Sequence, residues 1–175
     1  MARYKRANQY PLTQQQKEAV RYHRLYQGGQ MNDMKYVLLR DMQTFASYMG
    51  IYNLEKGLYN FMTVHEVAVF GYNFCSAENA PICGQYYASR LKGRMEDPEH
   101  PSLTEKEALL QEFARALAED FEHVPEELYG RMNAQYREDE MIRLIGYAGL
   151  LLASCMFENT AIAAPAEEKP EETDS

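Results

Sequence analysis

The sequence predicts an all-α protein, a compact bundle of about six to seven helices. Three observations lead there. Apolar residues recur at three- and four-residue steps through most of the chain, Thr-x-x-Gln and Thr-x-x-Glu capping boxes open two of the periodic segments, and no convincing strand pattern interrupts them.

The first ten residues lack periodicity and read as a loose arm. Thr13 with Gln16 forms a capping box that opens a polar helix ending at Gly28-Gly29. It carries Val20, Tyr22, Leu25 and Tyr26 but few other apolar groups, so residues 1–30 form an arm and accessory helix, packed on the main body or on a neighbouring subunit. From Met31 the pattern sharpens: Met34, Val37, Leu38, Met42, Phe45 and Met49 mark one face of a second helix. Leu54, Leu58, Phe61, Met62 and Val64 begin a third, and Val67 through Phe74 read as buried on nearly all sides. In the run Glu78 to Tyr87, Asn79 is a helix cap and Pro81 belongs in a first turn, giving a fourth helix that runs to Gly93. Asp97-Pro98-Glu99-His100-Pro101 is a loop. Thr104 and Glu107 cap the next helix, whose stripe is Leu110, Phe113, Ala114, Leu117 and Phe121. Pro125 restarts a helix at its first turn, with Leu128, Met132 and Tyr136 on its buried face. Glu138-Asp139-Glu140 places acids where the helix dipole favours them and opens a last helix reaching about Ala163. Residues 164–175 form a Pro/Glu-rich acidic tail, predicted to be disordered.

Composition bounds the function. A chain of 175 residues is one domain with room for a substantial core. The net charge of −8 argues against broad nucleic-acid binding, which needs a basic face for the phosphates. The three cysteines are an odd, widely spaced set, and the basic N-terminus is not followed by the apolar core of a signal peptide, which points to free thiols in the cytoplasm. The uncharged run Leu144 to Phe157 is fourteen residues long, short of the roughly 20 that span a bilayer, and is expected to be a buried core helix rather than a membrane anchor. His23, His65, His100 and His123 share no metal-ligand spacing, so neither metal nor cofactor is expected.

Cys83 is the residue with the most chemistry to offer. In the first turn of its helix, unpaired backbone N–H groups and the helix dipole favour a thiolate, although a free cysteine is equally at home as an inert buried side chain. His65 and Glu66 are adjacent, hence about 100° apart around a helix, so only one of them can face the Cys83 pocket squarely.

The order of the segments resembles the carboxymuconolactone decarboxylase superfamily, which includes the alkyl hydroperoxidase D-like proteins. The resemblance runs from about Met31 to Ala163. Residues 103–110 lead into Phe113-Ala114-Arg115-Ala116-Leu117. Val124-Pro125-Glu126-Glu127-Leu128, residues 139–145 and Phe157-Glu158-Asn159 follow, with His65-Glu66-Val67-Ala68-Val69 upstream. The hydroperoxidase-like turn of that family reads Asn-x-Cys-x-x-Cys with a histidine four residues on. With Cys83 laid on the second cysteine, Ala80 replaces the first and Tyr87 replaces the histidine, while the family's acidic proton relay falls on Glu66 at a spacing two residues too long.

The resemblance implies a homo-oligomer and two enzymatic routes. One is single-thiol redox chemistry, with Cys83 as nucleophile, Glu66 as proton acceptor, Tyr87 as positioner, and an external thiol to resolve the oxidised sulfur, since Ala80 leaves no partner for a disulfide. The other is cysteine-independent decarboxylation or proton transfer on a small carboxylated or lactone substrate, with Arg90 anchoring the substrate carboxylate. Asn159 either hydrogen-bonds into the same pocket or satisfies a helix end. A third reading is a non-catalytic scaffold that binds a ligand or a protein.

Overall fold

The computed structural model describes residues 3–27, 29–93 and 97–162, and among them nine α-helices, two short 3-10 or π turns and no strand. The all-α expectation holds; the acidic tail lies outside the described residues. The helices are α1 (Gln14–Tyr26), α2 (Asp33–Leu38), α3 (Met42–Met49), α4 (Ile51–Leu58), α5 (Val64–Ala77), α6 (Pro81–Lys92), α7 (Glu105–Asp120), α8 (Glu126–Asn133) and α9 (Glu138–Phe157), the last continuing into a π-helical turn, Glu158–Ile162.

The helix count exceeds the sequence expectation because two predicted helices are divided: the second into α2 and α3, and the third into α4 and α5, where Thr63 caps a new helix that Val64 opens. The Asp41 carboxylate accepts the Thr44 N–H at 2.7 Å and starts a fresh N-terminus between α2 and α3. Gly50 then separates α3 from α4. Both predicted capping boxes are present, at Thr13/Gln16 and Thr104/Glu107, and a third joins Thr63 to Glu66. At the head of α6 the cap is Ala80 rather than Asn79. Asn79 instead takes a left-handed conformation, φ 52°, one of the few residue types that does so readily, and Pro81 follows at the first helical position. Pro125 is likewise the N-cap of α8, not part of its first turn.

Helix α5 is the centre of the molecule, packed along α6 on one side and α7 on the other, with α9 crossing it and α4 lying along α9. Phe70, Phe74, Leu110, Phe113, Met132, Leu144, Tyr147 and Leu151 are fully enclosed. Helices α5 and α6 approach closely at Gly71, where a Cβ would stand 2.4 Å from the Tyr87 ring, so that site tolerates no side chain. The last helix is less enclosed than its sequence predicts. Its inner face is core, but Ile142, Ile145 and Met156 are exposed. Over Glu138–Ile162 the most apolar window has a mean hydropathy of 1.4 and is 39% buried, so this stretch is long and apolar enough to cross a membrane by length and composition alone.

Candidate functional site

A cavity of about 510 Å³ opens between α2, the α3–α4 junction, the first half of α6 and α9, a size that suits a small organic molecule. Met34, Met49, Ile51, Ile82 and Leu151 give it apolar walls, and Lys35, Tyr52, Glu55, Cys83, Tyr86 and Tyr87 supply its chemistry. Two of the three residues expected to perform catalysis, Cys83 and Tyr87, therefore line one cavity.

Cys83 sits in the first turn of α6 as expected, but the electrostatics there are reversed. The Glu158 carboxylate, brought across by the π turn at the end of α9, accepts the Ile82 N–H at 2.7 Å and the Cys83 N–H at 2.8 Å. It takes up the donors and the dipole that would have favoured a thiolate. The thiol meets Cys155 and the Met34 sulfur, the latter at 3.8 Å. Hydrogen bonding to Cys155, burial and the Glu158 charge together push the Cys83 thiol far above the usual range. Cys155 also bonds Cys75, so three buried free thiols form a chain in which burial raises Cys75 as well, against the hydrogen bond from Cys155. Cys75 and Cys155, which carry no sequence motif of their own, are thus neighbours of the Cys83 sulfur through this chain.

Glu66 is elsewhere. It lies at the start of α5, while Cys75 lies near its end, about 13 Å further along the axis at 1.5 Å per residue. Its carboxylate accepts the Thr63 N–H at 2.6 Å and pairs with Lys106 at 2.9 Å, so the proposed proton acceptor is a helix cap and ion-pair partner that lines no part of the cavity. His65, on the same turn, bonds Glu107 at 2.5 Å. Asn159 also lies outside, donating to the Glu78 carbonyl at 2.8 Å and tying the two helix ends together.

Tyr87 is buried, and its hydroxyl shares a short hydrogen bond with the Tyr147 hydroxyl; burial and Tyr147 hold its acidity well below that of a free phenol. Arg90 does not line the cavity. It anchors a carboxylate, but one belonging to the protein: Glu55, at 2.6 Å, while stacking 4.3 Å above the Tyr86 ring. Glu55 is almost fully buried on α4 and also accepts from Tyr59 at 2.6 Å, Tyr86 at 3.0 Å and Tyr147 at 3.3 Å. Tyr86, which accepts from Arg90 at 2.5 Å, thus joins a cation and a carboxylate at the cavity wall.

Lys35 is the residue the sequence reading missed. It is 4% exposed, projects into the cavity from α2, donates to the Gln30 carbonyl at 3.1 Å and lies 5.3 Å from the centre of the Tyr52 ring. Among the described residues no carboxylate comes within ion-pair distance of it. Burial lowers its pKa to about 8, against the opposing pull of Cys83 and Glu55. A signal was present in the sequence: Lys35 falls between Met34 and Val37, inside the apolar stripe. Among the described residues no cluster of metal-ligating side chains occurs. Compared with family models, curated proteins and solved structures, the chain matches none, and its likeness to the carboxymuconolactone decarboxylase superfamily stands on the quoted segments alone.

Proposed function

We propose that the protein binds a compact organic anion, a carboxylate with an apolar body, with the anionic group at Lys35 and the body against Met34, Met49, Ile51 and Leu151. The observation that carries this reading is a buried ammonium with no carboxylate partner, set in the wall of a cavity of small-molecule size. A buried charge without a partner is costly, and an anionic ligand supplies the partner. The Glu55 charge does not cancel it, because Arg90 and three tyrosine hydroxyls already satisfy that carboxylate.

Of the two enzymatic routes, this arrangement favours cysteine-independent proton transfer on a small carboxylated substrate. The Arg90–Tyr86–Glu55 unit holds an exchangeable proton at the cavity wall, whereas Glu158 and Cys155 disfavour the thiolate that single-thiol redox chemistry requires. Homo-oligomerisation and a cytoplasmic location belong to the same proposal, from the family resemblance and the free thiols.

The test is calorimetric titration with a panel of small aliphatic and aromatic carboxylates. At least one should bind, Lys35→Met should weaken it about tenfold to a hundredfold, the worth of one charge-assisted hydrogen bond, and Cys83→Ser should leave it intact. Equal binding by Lys35→Met, or no binding by the unaltered protein, overturns the reading.

A further inference from the structure

Resting on that anion site, we infer that Lys35 is also a nucleophile, condensing with the carbonyl of a 2-oxo acid to form an imine inside the cavity. Two features of the site lead there. First, Lys35 is a buried primary amine with no ion-pair partner and only one fixed hydrogen bond, to Gln30, so the rest of its donor capacity and its lone pair face the cavity. Second, Glu55 and Tyr86, hydrogen-bonded to each other at 3.0 Å, line the same cavity, so a carboxylate and a hydroxyl able to relay protons share its wall with the amine.

A 2-oxo acid fits both roles of one nitrogen. Its carboxylate is drawn to the ammonium, which places the adjacent carbonyl carbon next to Nζ. With its pKa lowered to about 8 by burial, roughly a tenth of Lys35 is unprotonated at pH 7, far more than an exposed lysine offers. The Nζ lone pair attacks the carbonyl carbon, forming the C–N bond as the C=O π pair moves to oxygen. Two protons leave nitrogen, one to free the lone pair and one after the attack, and are relayed by cavity water and the Glu55–Tyr86 pair to the carbonyl oxygen, which departs as water as the C=N bond forms. One ammonium and one ketone become one protonated imine and one water, with no change of oxidation state. The protonated imine remains cationic beside the substrate carboxylate, so the charge pairing survives the reaction.

Phenylpyruvate is a suitable probe, and phenylacetate is its carbonyl-free counterpart. With sodium cyanoborohydride present, the unaltered protein should acquire one reduced phenylpyruvate adduct. Peptide mapping should place it on Lys35, at least about tenfold ahead of any of the six other lysines, because a lowered pKa raises the fraction of free amine. Excess phenylacetate should suppress it. Lys35→Arg should keep phenylacetate binding and form no adduct, which separates cation from nucleophile. If that variant does not fold, the phenylacetate competition on the unaltered protein decides the same point. Phenylacetate binding without a Lys35 adduct, or adducts spread over the lysines according to exposure, overturns the imine while leaving the anion site standing. No binding of either compound overturns the imine, and no binding across the carboxylate panel overturns the anion site as well.

Discussion

Two buried polar clusters sit toward opposite ends of α5, and they differ in one respect. At its N-terminus, His65 meets Glu107, Glu66 meets Lys106, and both carboxylates also cap helices through Thr63 and Thr104. Every charge there is answered from within the chain. At the other end, beside Cys75, Glu55 is answered by Arg90 and three tyrosines, but Lys35 faces a cavity without a carboxylate partner. A cluster that is complete in itself is architecture, and a cluster missing one charge is a place for a ligand. The contrast explains why Glu66 is not the proton acceptor: its hydrogen-bonding capacity is spent on Thr63 and Lys106.

The most severe way to break the contrast is to empty the shared carboxylate. Glu55→Ala leaves Arg90 half-buried without its counter-ion and strips three tyrosine hydroxyls of their acceptor. It should cost about 3–5 kcal/mol in urea denaturation, the range for removing one partner of a buried pair. A loss below about 1 kcal/mol, the worth of an exposed pair, would mean that the network is not a structural unit.

Lys35→Met should do the opposite. Deleting an uncompensated buried cation while keeping its aliphatic volume should stabilise the ligand-free protein by on the order of 1–2 kcal/mol at pH 7. The pH dependence gives the sign independently. With a folded pKa of about 8 and an ordinary value near 10.5, the unfolded chain holds more protons between those limits, so the Lys35 penalty is full below pH 8 and fades as pH rises toward 10.5. Stability measured across that window should climb more in the unaltered protein than in Lys35→Met. Parallel curves would place Lys35 among ordinary solvated lysines and remove the basis of the contrast.

Glu158→Gln sharpens it from the thiol side. The amide can still accept the Ile82 N–H but no longer carries the charge that opposes ionisation at Cys83. Alkylation of Cys83 by iodoacetamide, read by peptide mass spectrometry, should quicken about tenfold, equivalent to about 1.4 kcal/mol. An unchanged rate would assign the unreactive thiol to burial and Cys155 alone.

The fold was legible because its signals are local. The stripe through Phe113 and Leu117, the Thr13 and Thr104 boxes and Pro81 at a first turn each depend on residues within four positions. The division at Asp41 was missed because a continuous stripe masked a side chain that competes for its own backbone. The site was legible in position but not in charge. Cys83 and Tyr87 lie on the cavity, yet the carboxylate that governs Cys83 is 75 residues away on a π turn, and the acid that binds Arg90 is on α4. Such pairings follow from how helices pack, which no window of sequence contains.

Glu66 offers the finest cut, because there the sequence held both answers. Thr63-Val64-His65-Glu66 is itself a capping-box signature, and the structure shows both of its hydrogen bonds, Glu66 to the Thr63 N–H and Thr63 to the Glu66 N–H. Glu66→Gln preserves the shape of that box and removes only the charge facing Lys106, which is one-third exposed. The expected loss is therefore small, about 0.5–1 kcal/mol in urea denaturation, with carboxylate binding at Lys35 unchanged. A changed affinity in this variant would mean that the two ends of α5 communicate. The complete cluster would then be part of the site rather than the frame that holds it.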